Sequence, residues 1–404
     1  MFVFLSLASL KIGFVRVGQL VILILFVCVL LDDFQKNEID FSILFFFLFG
    51  GVLVSLVSLN SVYPKIGESK FLLKYLVVYP SAFYVGARFL QKLKPKQVIS
   101  IIEYVVVFYI AVAFLVEFEL FPKFLDGLLM YRDDHFGGEL YLDFQGTFNE
   151  SGVLAQVVYL MVVSSFLLRV EFDEVKNSKW WLVGFYSLVF VSLVLTKNKT
   201  VWIALIMMVV FLIFLKVVFT LMYSNQYQLL KGIKSSKTLK IFDKVDATKL
   251  FLLLVFLVVS LVVINGLMSE PIISESMLQK KLNHERGKAF LYVMKLLDES
   301  SYLGGYGFGY IEYYFSHLQT SIIGLGKGVG MVFNSFLDVW VSAGLIGLFF
   351  HLFMYVLSFS KEHFLCIVVP MTLFVYNNFN PFIGYEYHFV FLGLSYGLKR
   401  YKLT

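Results

Sequence analysis

Charge is scarce in this sequence: Asp, Glu, Lys and Arg together supply only 15% of its 404 residues. That excludes a disordered chain and a set of solvated soluble domains, both of which need far more polar surface. Cysteine is scarcer still. Cys28 and Cys366 are the only two, and each sits inside an apolar run, so both read as small buried hydrophobes rather than a disulfide or a metal site. Basic stripes with interleaved aromatics are missing from the polar segments, so the net charge of +6 is not a nucleic-acid footprint. Met1–Leu10 lacks the basic leader and small-residue cleavage site of a signal peptide, and is expected to stay as a short first membrane segment.

Apolar residues are what the sequence has in excess. They make up 59% of it, with 46 Phe and 24 Tyr, and the mean hydropathy is +0.81. No single water-soluble core hides that much surface, so lipid must serve as solvent. A spanning helix needs about 20 mostly apolar residues. Eleven runs approach that length: 17–31, 41–59, 71–90, 100–121, 152–169, 179–195, 200–222, 249–267, 333–359, 363–380 and 386–398. Met1–Leu10 makes a twelfth. Each run is apolar all round, unlike the period-two pattern of a membrane β-strand. The expected fold is therefore all-α: one polytopic integral membrane domain over 1–404, with about 12 transmembrane helices and one large external loop at 268–332.

Basic residues set the expected orientation. The 224–249 connector carries Lys231, Lys234, Lys237, Lys240, Lys244 and Lys249, the 88–96 turn carries Arg88, Lys92, Lys94 and Lys96, and the chain closes on Lys399, Arg400 and Lys402. Placing all three in the cytoplasm satisfies helix parity and puts 122–150 and 268–332 outside. The acidic 32–40 turn (Asp32, Asp33, Glu38, Asp40) then falls inside, against the simplest reading of the charges.

Several polar groups are candidates for chemistry. Asn283, His284, Glu285, Arg286 and Lys288 precede an amphipathic stretch marked by Ala289, Phe290, Tyr292, Val293, Leu296 and Leu297. A guanidinium fork matches phosphate oxygens two at a time, and a histidine titrating near neutrality can move a proton. The same residues also fit a solvated helix start with an acid at its positive end. Gly304, Gly305, Gly307 and Gly309 then bend the chain. No strand precedes them and no Lys-Ser pair follows, so they read as a turn rather than a nucleotide grip. Lys197, Asn198 and Lys199 interrupt two runs where basic groups are costly unless they meet an anion. Asp133, Asp134 and His135 are adjacent and do not converge on one ion in regular structure, so no metal and no cofactor is expected. His317 stands alone.

These motifs together resemble the bacterial O-antigen polymerase and O-antigen ligase superfamily. The family pattern is His, then Asn, Ser or Gln, nine residues, Gly, two residues, Gly. Here it reads Phe333-Asn334, then nine residues, then Gly344-Leu345-Ile346-Gly347. Arg286 before the Gly305–Gly309 cluster, Thr147-Phe148-Asn149-Glu150-Ser151-Gly152, and Leu195-Thr196-Lys197-Asn198-Lys199-Thr200 are similar to further family features and fall in the family's order. Phe333 stands where the ligase branch has its histidine, which favours the polymerase branch. The resemblance implies a metal-independent glycosyltransferase of the bacterial inner membrane acting on oligosaccharides carried by undecaprenyl diphosphate. It implies Arg286 and His284 as catalytic, with Lys199, Arg132, Asn149, Asn334 and His317 binding substrate, and a chain-length regulator and a flippase as partners. The alternatives are an O-antigen ligase, a lipid-linked oligosaccharide transporter or flippase, and a membrane scaffold. Transporters show internal repeats and helices broken at mid-membrane. The sequence shows no convincing repeat and no charged pair at the centre of a span.

Overall fold

The computed structural model describes residues 11–12, 15–59, 72–118, 120, 151–172, 179–196, 201–207, 209–210, 213, 293–297, 305–308, 310–311, 334–360, 363–379 and 386–400. Among them the regular structure is helical apart from a short antiparallel ladder, β1 (Lys11–Ile12) with β2 (Val15–Arg16). The main helices are α1 (Val17–Gln35), α2 (Phe41–Leu59), α3 (Tyr79–Lys92, entered through a π-turn at Lys74–Val78), α4 (Pro95–Glu117), α5 (Ser151–Glu171), α6 (Lys179–Leu195), α7 (Ser335–Ser358), α8 (Leu365–Phe379) and α9 (Glu386–Arg400). Among the described residues, four helices are long and apolar enough to cross a membrane: Gly18–Gln35, Pro95–Glu117, Val153–Glu171 and Ser335–Ser358. The expected runs at 1–10 and 249–267, and the 224–249 connector, lie outside the described residues.

Local chemistry explains where the helices begin. The Asp40 carboxylate accepts the Ile43 N–H at 3.3 Å and so opens α2. Pro95, whose fixed φ suits a first helical position, opens α4 directly after an extended Lys94. The Glu171 carboxylate, carried over from the end of α5, accepts the Phe364 N–H at 2.6 Å just before α8. Large rings are buried where helices meet, among them Tyr84, Tyr109, Trp202 and Tyr376. Others point outward: Trp180 is 84% exposed and Phe45 71%. Outward rings of that size are costly in water and cost nothing against hydrocarbon.

The closest helix contact joins α3 to α9, with the Tyr79 and Phe389 rings stacked at 4.0 Å. A Cβ added at Gly86 would fall on the Val390 carbonyl oxygen, and one added at Gly393 on that of Phe83. Backbone meets backbone here, as in small-residue packing between membrane helices. Gly393→Val is expected to push the pair apart and lower stability by about 1–3 kcal/mol. Gly184→Val is the control, because a Cβ there meets nothing within 4 Å. The detergent-solubilised melting temperature distinguishes the two variants.

Charges gather at one end of the bundle. Arg88 Nε donates to Asp33 at 2.6 Å, beside the Tyr84 hydroxyl at 2.6 Å. Lys92 bridges Asp32 and Asp33, both at 2.5 Å, and Arg400 pairs with Asp40. Burial pulls the Lys92 ammonium down, but the Asp32 and Asp33 carboxylates outweigh it and hold the group above the usual lysine range. The acidic 32–40 turn therefore shares an end with the basic 88–96 turn and with Arg400.

Candidate functional site: a broken helix and the segment that crosses it

Asn334 caps α7, its side-chain oxygen accepting the N–H groups of Phe336 and Leu337, both at 3.0 Å. Its Nδ2 donates to the Asn378 side chain at 3.2 Å, which ties the start of α7 to the end of α8. Ten residues further on, the helix breaks. Gly344 has φ 63° and ψ −167°, a conformation open to glycine and costly for other residues. At 1.5 Å per residue the break lies about 15 Å along the axis from Asn334, well inside a helix long enough to span.

A break inside a helix frees carbonyl groups that the next turn would have used. Two of them are taken by a segment far away in sequence. The Tyr306 N–H donates to the Val341 carbonyl at 2.6 Å, and the Gly307 N–H to that of Ser342 at 2.8 Å. The approach needs glycine: Gly305 and Gly307 have φ 62° and 94°, and a Cβ on Gly305 would lie 2.5 Å from the Gly344 nitrogen. Gly305 and Gly307 bend the chain here, and residues 305–307 also complete the hydrogen bonding of a broken helix. Around them Val293, Leu296 and Leu297 pack with Tyr306, Tyr310 and Val341, and the Tyr306 hydroxyl donates to the Leu296 carbonyl at 2.9 Å.

Phe308 carries the segment onward into the core, its ring 4.8 Å from that of Tyr75 in the π-turn. The Tyr75 hydroxyl lies 3.4 Å from His351 Nε2, and His351 Nδ1 lies 3.1 Å from the Gly347 carbonyl. A carbonyl only accepts, so Nδ1 carries the hydrogen and Nε2 accepts from the tyrosine. His351 thereby fastens the second half of α7 to the π-turn. A neighbouring buried group joins α7, α8 and α9: Asn377 Nδ2 donates to the Tyr355 hydroxyl at 2.8 Å and faces His388 Nδ1 at 3.2 Å. Between α4, α5 and α6, the buried Glu103 meets the partly buried Arg169 at 2.6 Å.

Of the residues singled out by sequence for substrate or catalysis, Asn334 is described, and its side chain is committed to the helix cap and to Asn378. Arg286, His284, Lys199, Arg132, Asn149 and His317 lie outside the described residues. Sequence reasoning passed over Tyr75, His351, Tyr355, Asn377 and His388, and the Glu103–Arg169 pair. The available signal was a single polar residue within an apolar run, which inside a membrane marks a packing or functional partner. No family model, curated protein or solved structure matches the chain.

Proposed function

We propose that this chain is a twelve-span glycan polymerase of the O-antigen type, resident in the bacterial inner membrane. On this reading it transfers a growing glycan from undecaprenyl diphosphate to the next lipid-linked repeat unit. One observation carries the reading. Asn334 and Gly344, two fixed points of the sequence resemblance, are the cap and the break of one helix, and Gly305 and Gly307 from a third, the glycine cluster, cross at that break. Motifs separated by some 40 residues in the sequence thus meet at one place.

The donor sugar is already activated by its diphosphate, so no nucleotide or metal is required. The acceptor hydroxyl attacks the anomeric carbon, the bond from that carbon to the diphosphate oxygen breaks, and the hydroxyl proton passes to a base. Arg286, with Lys199 or Arg132, stabilises the departing diphosphate. His284 takes the proton, with His317 as the second choice. Asn149 and Asn334 line the approach of the sugars, and the polyprenyl tails stay in lipid between helices.

The broken helix also favours a second reading, because discontinuous helices at mid-membrane are a mark of carriers. Deleting the gene in its host separates the two. Loss of a polymerase leaves single repeat units on the final acceptor, and loss of a ligase leaves polymer on the lipid carrier. Repeat units stranded inside the cell identify a flippase and overturn the proposal.

A further inference from the structure

The two halves of α7 do not continue one another. Phe336 and Tyr355 would stand about 28 Å apart along a straight helix. Their rings lie 5.8 Å apart. Both reach the last turns of α8: the Phe336 ring packs 5.1 Å from that of Phe374, Asn334 bonds the Asn378 side chain, and the Tyr355 hydroxyl accepts from Asn377. A Cβ on Gly347 would come within 3.3 Å of the Val339 side chain, two turns back. The helix therefore folds back at Gly344, and residues 335–343 lie against residues 345–358 as two arms of a hairpin.

The first arm belongs to two bodies at once. On one side Val341, with Leu337 and Trp340 beside it, packs on Val293, Leu296 and Tyr306 in a small apolar cluster separate from the main core. The two hydrogen bonds from residues 306 and 307 to Val341 and Ser342 fasten the arm to that cluster. Its other side meets the bundle through Phe336, Val339 and Ala343, through the Asn334–Asn378 bond, and through the Phe308 ring on Tyr75. Backbone hydrogen bonds thus hold the arm to its own cluster, while side chains hold it to the bundle. Its covalent joint to the second arm is a glycine, the residue that best absorbs a large change of φ and ψ.

What the arm covers is polar. Phe336 packs on Tyr355, whose hydroxyl joins Asn377 and His388, both of them 0% exposed. Asn377 Nδ2 has two hydrogens and faces three acceptors: the Tyr355 hydroxyl, the Leu373 carbonyl and His388 Nδ1. The carbonyl only accepts, which fixes the amide this way round. Asn377 Oδ1 is then left without a partner among the described residues. A buried acceptor with no donor costs free energy that water would recover on exposure. Ring packing holds the arm down, and the unmet amide opposes it, which brings shut and open arrangements closer in free energy.

We infer that residues 335–343, with the small cluster packed on them, form a gate that swings about Gly344 and opens the Tyr355–Asn377–His388 group to water. The arrangement described here is the shut one. The inference is independent of the polymerase reading, because it concerns access to a buried group and not the reaction.

Diethyl pyrocarbonate, which acylates accessible imidazoles, reads the gate on the full chain in nanodiscs, with peptide mass spectrometry resolving each histidine. Phe336→Ala removes two ring contacts that hold the arm down and should raise the acylation rate of His388 by on the order of tenfold. The rate at His363, buried against Glu171 at the other end of α8, should not change. Phe336→Leu keeps an apolar side chain there, folds more readily, and should fall between the two. Motion is read separately by spin labels at Met294→Cys on the small cluster and Lys399→Cys on the bundle, both exposed positions. Cys28→Ser removes the exposed native thiol, and Cys366 is buried. Phe336→Ala should add a second distance to the one dominant in its Phe336 parent. The inference fails if His388 reacts no faster in either Phe336 variant than in wild type. It fails if the rate rises while the distances stay fixed, which would mean a local cavity under the missing ring and not a swing. It fails equally if His363 speeds up in step with His388, which would mean general loosening.

Discussion

Glu103→Ala is expected to lower the unfolding free energy by about 3–5 kcal/mol and to cut the yield of folded protein sharply. Glu103 lies two turns into α4, 2% exposed, and collects three side chains from two other helices. Arg169 donates to Oε1 through Nε at 2.8 Å and through its terminal nitrogen at 2.6 Å. Ser165 donates to the same oxygen at 2.8 Å, and Trp181 Nε1 to Oε2 at 3.1 Å. Alanine would strand a partly buried guanidinium, a buried hydroxyl and a partly buried indole N–H, and a largely buried cation without its anion is the dominant cost. Glu103→Gln keeps one acceptor and should fall between wild type and alanine. The diagnostic variant is the double one. Replacing Glu103 and Arg169 together by Met removes both charges with similar volume, and it should recover most of the loss seen in Glu103→Ala. Melting in detergent, followed by size-exclusion fluorescence, reads all three. A double variant as unstable as the single one would mean that the geometry of the pair, and not its charge balance, holds α4 to α5.

Long apolar runs made the helices legible, and their limits show what composition misses. The runs at 17–31, 41–59, 152–169 and 179–195 fall on α1, α2, α5 and α6 because backbone hydrogen bonding in lipid leaves an apolar run little choice but helix. The 333–359 run reads as one span and contains α7, yet its break was invisible. Gly344 is flanked by Ala343 and Leu345, so hydropathy registers nothing, and the event that stabilises the break is a pair of hydrogen bonds from residues 306 and 307. The runs at 363–380 and 386–398 fall on α8 and α9, which are 15 residues each and short of a full span. Polar partners were equally hidden, since Tyr75 and His351 stand 276 positions apart.

The acidic 32–40 turn shows the same limit from the side of charge. Counting lysines and arginines treats each turn alone, and on that count Asp32, Asp33, Glu38 and Asp40 look misplaced beside the basic turns. In the fold they are the counter-charges of Arg88, Lys92 and Arg400, so one end of the bundle carries both signs in contact. Pairing, not sign, explains why an acidic turn lies there.

Arg286→Ala should abolish long chains while the protein still accumulates in the membrane. The proposed reaction leaves a diphosphate bearing new negative charge, and a positioned donor aimed at such charge contributes on the order of 3 kcal/mol to the transition state, about a hundredfold in rate. Arg286→Lys should restore only part of that, because an ammonium is a point charge and lacks the two-pronged fork that meets two phosphate oxygens together. Lys288→Ala, two residues on, removes a cation of the same sign and should be nearly silent, which separates a specific contact from a general loss of positive charge. Chain-length distributions on gels, at matched membrane abundance, report all three variants. His284→Gln adds a second axis: if His284 is the base, this variant keeps substrate binding and loses turnover, and the dependence of the remaining rate on pH between 5 and 8 flattens because the titrating imidazole is gone. An unchanged distribution in Arg286→Ala at normal abundance would reduce Arg286 to a charge at the start of a surface helix, and the diphosphate would then need a different grip.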